Sequence, residues 1–386
     1  MLKRPLKILY LAIGVFDKGG ISRYCRYQIR ALRELVGEGN VSVLSLMGPS
    51  TDDFEGGFDV ERSFRGVGLR SEVDFFLTGI RKALAMRPDL IWSSHVRFLP
   101  NALLQRMATG AYFALNVYGE ELWGGRLLPL YRRTLHRADL VVPDCHATAD
   151  YIARKYGVQP SRSQVVWDCV DLQQFQPRPP RIDLLRKFGI PAGGRRYLLT
   201  LGRIERRSRY KGYDRLLDAL GALRKRSNIV LLYAGTGDDL GRIKRRVLEE
   251  DLEDRVFFLG SVSEADLCDV YNLADVFALV TDRGPRRGEG IPLTPLEAAA
   301  CGTPIIVGNE DGSREAVVDE VTGFCVSPRH PEALQRAIEK LMLNDRLREK
   351  MGRAARERIE AEFSYETFRN KTEMILARVA ERPPLN

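Results

Sequence analysis

RGEGIPLTPLEAAACGTPIIVGNEDGSREAV, residues 287–317, decides how this chain is read. Pro292 and Pro295 punctuate a loop, and LEAAAC reads as a helix start. Gly302 and Pro304 close that helix before the apolar run 305–307, which the pattern assigns to a buried strand. Glu289 is then in a loop, and Glu297 is in the first turn of a short helix. Backbone N–H groups at a helix start lack internal partners, so the stretch can cradle an anion with amides and grip hydroxyls with carboxylates. Such chemistry suits a sugar nucleotide. The plainer reading of Glu297 alone is an acid complementing the helix macrodipole. That reading has no use for a Glu-Gly-x-Pro loop before the helix and an Asp-Gly turn after it.

Working outward, strand-like runs recur on both sides. Residues 196–203, 228–235, 255–260, 275–280 and 303–308 form one series. Residues 7–16, 41–47, 89–95, 111–117, 138–144 and 164–170 form another, with helices expected at 22–36 and about 73–86. Strands alternating with helices imply parallel sheets covered on both faces. The proline-rich stretch 176–181 cannot lie inside a helix or strand and reads as the approach to a linker. The expected organisation is an α/β chain of two Rossmann-like domains, 1–178 and 179–363. A C-terminal helix, 364–386, is expected to pack back on the first domain.

With 386 residues the chain is long enough for two domains that each bury a core. Its six cysteines are scattered without a C-x-x-C pair or a His-Cys cluster, which argues against a zinc site or a disulfide framework and fits a reducing cytosol. The basic and apolar N-terminus lacks a small-residue cleavage site, since Asp17-Lys18-Gly19-Gly20 stands there instead. No run of 18 apolar residues marks a membrane span. A net charge of +9 comes without any nucleic-acid-binding motif, so an anionic substrate or an anionic membrane surface fits it better than nucleic acid.

Several smaller constellations carry chemistry. Gly19-Gly20 lies between a strand and a helix, where glycine allows close approach of a ligand; a simple turn is the alternative. The next helix places Ile21, Cys25, Ile29, Leu32 and Val36 on one side and Arg23, Arg26, Arg30 and Arg33 on the other. The arginines form either a solvated face or a contact for lipid headgroups. In LGRIERRSRYKG, residues 201–212, Arg203 and Lys211 follow a strand at the edge where parallel sheets bind ligands. Arginine forks onto phosphate oxygens and lysine offers a mobile point charge. Arg206, Arg207 and Arg209 read more simply as solvent-facing charges. Gly235, after another strand, is a close-approach position or a plain turn.

These motifs together, GR-x7-KG, A-G-x-G, F-L-G-x-V, EG-x4-PLEA-x2-CG-P and a later G-F, resemble the retaining family 4 glycosyltransferases of GT-B fold. The resemblance spans about residues 195–330 in order and spacing; GGISRY, HRADLVV and VDLQQF extend it toward the N-terminus. It implies two Rossmann-like domains facing a cleft. It also implies transfer of a sugar, with retention, from a nucleoside diphosphate sugar to the hydroxyl of a glycan or lipid-linked acceptor. A bacterial polysaccharide or glycolipid pathway is the implied setting, with a cytoplasmic enzyme peripheral to the inner membrane face.

By the same resemblance, Arg203 and Lys211 hold the donor diphosphate, Glu297 the ribose and Glu289 the transferred sugar. The amides of Gly290, Ile291, Pro292 and Leu293 are assigned to the sugar or phosphates, where Pro292 can offer only its carbonyl. Gly19 and Gly20 leave room for the diphosphate. No cofactor or metal is expected, and the chain has no D-x-D motif. Many relatives carry an H-G-x-E-x-W-like segment; here it is Tyr118-Gly119-Glu120-Glu121-Leu122-Trp123, with Tyr118 in the His position. Tyr118 and Glu121 are carried over as site candidates, and His95 as a substitute for the missing imidazole. A phenol can donate or accept a hydrogen bond but cannot take a proton near neutral pH. Asp311 departs too, standing where relatives usually have Gly. Two other functions remain open on these residues: a GT-B-type sugar-nucleotide epimerase, and a catalytically silent sugar-nucleotide-binding scaffold.

Overall fold

A computed structural model describes residues 4–50, 57–123, 134–191, 193–224, 228–284 and 287–382. The chain divides into two compact units, the first made of Met1–Cys169 and Tyr365–Asn386, the second of Val170–Ser364. The division falls ahead of the proline-rich stretch 176–181. That stretch belongs to the second unit, where Arg178 N–H donates to Asn272 Oδ1 at 2.7 Å.

The first unit holds a six-stranded sheet of β1 (Ile8–Ala12), β2 (Val41–Ser45), β3 (Arg62–Ser63), β4 (Leu90–Ser93), β5 (Tyr112–Val117) and β6 (Leu140–Pro143). Its order is β3-β2-β1-β4-β5-β6, and every pairing is parallel. All five residues of β1 are buried, because both faces of the sheet are covered. Ile8, Tyr10 and Ala12 point to one core, shared with α1 (Gly20–Val36) and the last helix, Tyr365–Ala380. Leu9 and Leu11 point to the other, shared with α2 (Leu69–Met86) and α3 (Leu99–Thr109). The last helix meets α1 through Phe368, edge-on to Tyr24 at 5.1 Å, and through Arg30, whose guanidinium stacks 4.2 Å from the Tyr365 ring centre.

The second unit repeats the design with β7 (Arg196–Leu201), β8 (Ile229–Ala234), β9 (Val256–Gly260), β10 (Val276–Leu279), β11 (Ile305–Gly308) and β12 (Gly323–Val326). Their order is β12-β11-β10-β7-β8-β9, again all parallel. In both sheets the chain starts in the middle, builds outward on one side, then returns to the other. The reversal lies between β1 and β4 in one unit and between β7 and β10 in the other. Crevices for ligands form at such points, beyond the carboxyl ends of the strands.

Local expectations differ from the structure at residues 164–170, at the short strands and at the start of α2. Residues 164–170 are no strand: Gln164 and Val166 N–H bond the carbonyls of Val141 and Pro143 beside β6, and the ladder goes no further. The two-residue β3 and the four-residue β12 are too short to show periodicity. Helix α2 begins at Leu69, four residues early. The C-terminal stretch is helical in three pieces, Pro331–Met342, Asp345–Glu362 and Tyr365–Ala380, and Asn344 caps the second by accepting Leu347 N–H at 3.0 Å.

Candidate functional site

At the reversal point of the second unit, the loop after β7 meets the loop after β10. Lys211 Nζ lies 2.9 Å from Glu289 Oε1, and both side chains are largely buried. The Tyr210 hydroxyl donates to the same oxygen at 2.9 Å. Arg203 lies on the same β7 loop and is exposed; among the described residues its guanidinium makes no hydrogen bond or ion pair. A fixed cation, a fixed carboxylate and an uncommitted guanidinium are thus gathered on loops at one edge of the sheet. The arrangement can receive an anion while orienting a hydroxyl.

The loop carrying Glu289 is fastened from β11. Asp311 Oδ2 accepts Glu289 N–H at 2.8 Å, and Gly312 N–H donates to the Glu289 carbonyl at 3.1 Å. Asp311 Oδ1 accepts the Thr281 hydroxyl at 2.9 Å and Ser313 N–H at 3.1 Å. Burial pushes the Asp311 carboxyl up to about 6, opposed by the Glu289 N–H and assisted by the Glu289 charge. The departure at 311 therefore has a structural use that sequence reading did not find. The available signal was Asp-Gly-Ser, a good cap for a helical turn, and residues 312–316 do form one.

Glu297 corrects its assignment. The helix begins at Leu293, not at 296, so Glu297 is its fifth residue rather than part of the first turn. It is buried, and its Oε2 accepts the Tyr271 hydroxyl at 2.7 Å. Gly290, Ile291 and Pro292 are buried ahead of the helix, and Leu293 is its half-buried first residue. Among the described residues no side chain caps this helix, so the first-turn amides of Leu293 and Thr294 are left to other partners.

Gly235 has an internal reason to be glycine. Its φ is +129°, and a Cβ there would lie 2.0 Å from the Gly202 carbonyl oxygen, so the β7 and β8 loops pass too closely for any side chain. The basic loop is more committed than expected: Arg209 forks onto buried Asp239 at 2.7 and 2.8 Å, and Arg207 pairs with Glu205 at 2.7 Å.

In the first unit the reversal point is flanked by the glycine loop after β1 and by Ser94 and His95 after β4. Gly19 caps α1, and its N–H donates to Asp17 Oδ1 at 2.7 Å; Asp17 also accepts the Ser22 hydroxyl. Arg26 holds the loop by donating to the carbonyls of Val15 and Asp17, both at 2.9 Å. Arg30 pairs with Glu34 at 2.9 Å, and Arg33 donates to Asp59 O at 3.0 Å. The arginine face of α1 is therefore largely engaged within its own unit.

His95 Nδ1 accepts Arg97 N–H at 3.0 Å, which places its proton on Nε2. Burial, with the Arg97 charge, lowers its pKa to about 4, so the imidazole is a neutral donor near pH 7. Tyr118 is buried. Its hydroxyl accepts from Asn116 Nδ2 at 3.2 Å, within a network that also joins Gln28, Tyr10 and Trp92. Burial raises its phenol well above the ordinary value. This corrects the candidacy of Tyr118 as a reacting group: its hydroxyl serves the core. Glu121 Oε1 accepts Tyr118 N–H at 2.8 Å and so closes the turn at Gly119.

Among the described residues, no group of three or more His, Cys, Asp or Glu side chains is placed to hold a metal ion. None of the helices there is long and apolar enough to cross a membrane.

Comparison with known proteins gives matches over both units. Residues 182–358 match the model for glycosyl transferases group 1, and residues 18–174 that for Glycosyltransferase Family 4. A GDP-mannose-dependent alpha-(1-6)-phosphatidylinositol monomannoside mannosyltransferase of Mycobacterium tuberculosis is 30% identical over 70% of this chain and 72% of its own. A D-inositol 3-phosphate glycosyltransferase of Saccharomonospora viridis is 33% identical over 57% of this chain and 51% of its own. Among solved structures, Anabaena HepE in complex with UDP and glucose aligns with a TM-score of 0.78 at 17% identity, covering 97% of this chain and 100% of that one. Sucrose-phosphate synthase of Thermosynechococcus elongatus aligns at 0.77 and 21% identity, covering 98% and 99%.

Proposed function

This chain belongs to glycosyltransferase family 4 and has the GT-B fold, and from that premise we propose that it transfers a sugar, with retention, from a nucleoside diphosphate sugar to an acceptor hydroxyl. The observation that carries the reading is the Lys211–Glu289 pair at 2.9 Å beside the uncommitted Arg203. In this reading Arg203 and Lys211 receive the diphosphate and stabilise charge as it builds on the leaving group. Glu289, held through its backbone by Asp311, orients the sugar. Glu297 takes the ribose hydroxyls with the carboxylate that Tyr271 fixes. The first-turn amides at Leu293 complete the anion's surroundings.

No protein base is required. The departing phosphate oxygen takes the acceptor proton on the face where the acceptor attacks, which accords with a Tyr118 committed to the core. His95, neutral with its proton on Nε2, donates a hydrogen bond rather than removing a proton. The reading includes no metal and no cofactor. A lipid-linked or glycan acceptor is favoured by the Mycobacterium tuberculosis relative, which is named for a phosphatidylinositol mannoside. The setting proposed is the cytoplasmic side of a bacterial membrane, with peripheral attachment.

Thermal unfolding with UDP, GDP, ADP, TDP and their sugar conjugates tests the donor site, because a ligand of the folded state raises the midpoint. A shift with one base series, lost in Lys211→Ala, supports the reading and names the base. No shift at millimolar ligand overturns it. Donor isomerisation without an acceptor would assign the chain to the epimerases, and retained affinity without turnover to the silent scaffolds.

A further inference from the structure

Helix α2 is held to its unit by a narrow strip and leaves a broad apolar face uncovered. Phe75, Gly79 and Ala83 are its buried residues. Phe75 stacks on Phe98 at 4.6 Å, and a Cβ on Gly79 would lie 2.6 Å from Gln105 of α3, so the two helices touch closely along that strip. Next to that strip around the helix, Leu69 is 84% exposed, Leu84 52%, Val73 47% and Leu77 43%, and Val67 just before the helix is 64% exposed. At 100° per residue these four helical positions fall within one quadrant, with half-buried Ile80 among them. Scattered surface leucines need no explanation, but a contiguous stripe on one helix does.

The charges around the stripe say what covers it. The acids nearby are neutralised within the unit: Glu72 by Arg97 at 2.6 Å, Glu61 by Lys82 at 2.5 Å and Asp74 by Arg62 at 3.6 Å. Arg65, Arg70 and Arg81 are exposed and form no ion pair among the described residues. Arg70 and Arg81 lie beside Leu77 on the helical wheel, along one border of the stripe. An apolar band edged by uncommitted cations matches an anionic lipid surface, with leucines entering the acyl boundary and guanidinium groups at the phosphates. A second copy of the same face would instead bring these cations together.

We propose that the outer face of α2, through Leu69, Val73, Leu77 and Leu84 with Arg70 and Arg81, docks the first unit on an anionic bilayer. The inference rests on the reading of a lipid-linked acceptor, and it moves the membrane contact from the arginines of α1, which are engaged internally, to α2. An 18-residue helix is about 27 Å long, enough to lie in the interface as an extended contact.

The test is flotation of the full chain with vesicles of phosphatidylcholine alone and of phosphatidylcholine with one-third phosphatidylglycerol, at 0.15 M salt. The expected result is at least tenfold tighter binding to the anionic vesicles. Leu69→Glu/Leu77→Glu should lose that binding at least tenfold, and Arg70→Gln/Arg81→Gln should lose most of its salt dependence. All four positions are exposed, and an unchanged unfolding midpoint verifies the fold of each variant. Binding to neither vesicle, or equal binding by wild type and both variants, overturns the proposal. A concentration-dependent dimer abolished by Leu69→Glu/Leu77→Glu, without vesicle binding, also overturns it and gives the face to a second copy. The donor reading is judged separately by the nucleotide-induced midpoint shift. Vesicle binding through α2 without that shift would sink the donor reading and leave this inference standing.

Discussion

Asp311 holds Glu289 by its backbone: an Asp311 carboxylate oxygen takes the Glu289 amide at 2.8 Å, while the Lys211 ammonium meets the Glu289 carboxylate at 2.9 Å. Replacing Asp311 with Ala leaves that amide and the Thr281 hydroxyl without this partner in a buried setting, at about 1–3 kcal/mol each. The expected outcome is a 10- to 100-fold loss in kcat/KM. Asp311→Asn, which keeps one carbonyl oxygen, should recover part of it. Steady-state kinetics of the two variants decide this, and equal activity in Asp311→Ala would remove the positioning role.

The same carboxyl has a pH signature. Its folded pKa, about 6, lies above the ordinary carboxylate value, so its contribution to stability is fully present below about pH 4 and is lost as pH rises through 6. Denaturant unfolding from pH 4 to 7 should show this decline in the wild type and a flatter profile in Asp311→Asn. A steeper profile in the variant would contradict the assignment.

Lys211→Ala should weaken the nucleoside diphosphate more than tenfold while leaving the unliganded midpoint within a few degrees, because Tyr210 still holds Glu289. Lys211→Arg keeps the charge and should retain part of the affinity. Calorimetric titration with the diphosphate measures both.

Tyr271→Phe removes the hydroxyl bond to buried Glu297 and should cost about 1–3 kcal/mol of stability. Glu297→Gln keeps an acceptor for Tyr271, so it should fold normally yet bind the nucleotide less tightly. Thermal midpoints with and without ligand separate the two effects. Full nucleotide affinity in Glu297→Gln would remove the ribose role.

Two glycines should behave oppositely. Gly235→Ala forces a Cβ onto the Gly202 carbonyl at a strained φ and should destabilise by more than about 2 kcal/mol. Gly19 has φ −67°, and its added Cβ would meet only the movable Asp17 carboxylate. Gly19→Ala should therefore fold and weaken the diphosphate. Unfolding midpoints and nucleotide titration distinguish them, and an unimpaired Gly19→Ala would reduce Gly19 to a cap.

The sheets were legible because long apolar runs such as 229–234 are buried on both faces, and that pattern survives without neighbours. The short strands were not: Gly323–Val326 carries too few residues for a period to show. Within the site, Lys211 and Glu289 could be named from their motifs, but their pairing depends on β10 lying beside β7, a long-range adjacency. Tyr118 misled because its type was weighed against the histidine of relatives, whereas its neighbour Asn116 ties it to a buried network with Gln28 and Trp92, which come from elements that only the fold brings together. Asp311 was visible as an oddity, and its purpose lay 22 residues away.

The second unit is threaded into the first as an insert. Val170 N–H bonds the Phe363 carbonyl at 2.9 Å, so the chain enters and leaves the insert at nearly the same place. During synthesis the ribosome releases the whole of Val170–Ser364 before the helix that carries Phe368 to Tyr24. The unit made first is therefore completed last, and until then the aromatic surface of α1 must wait for its cover.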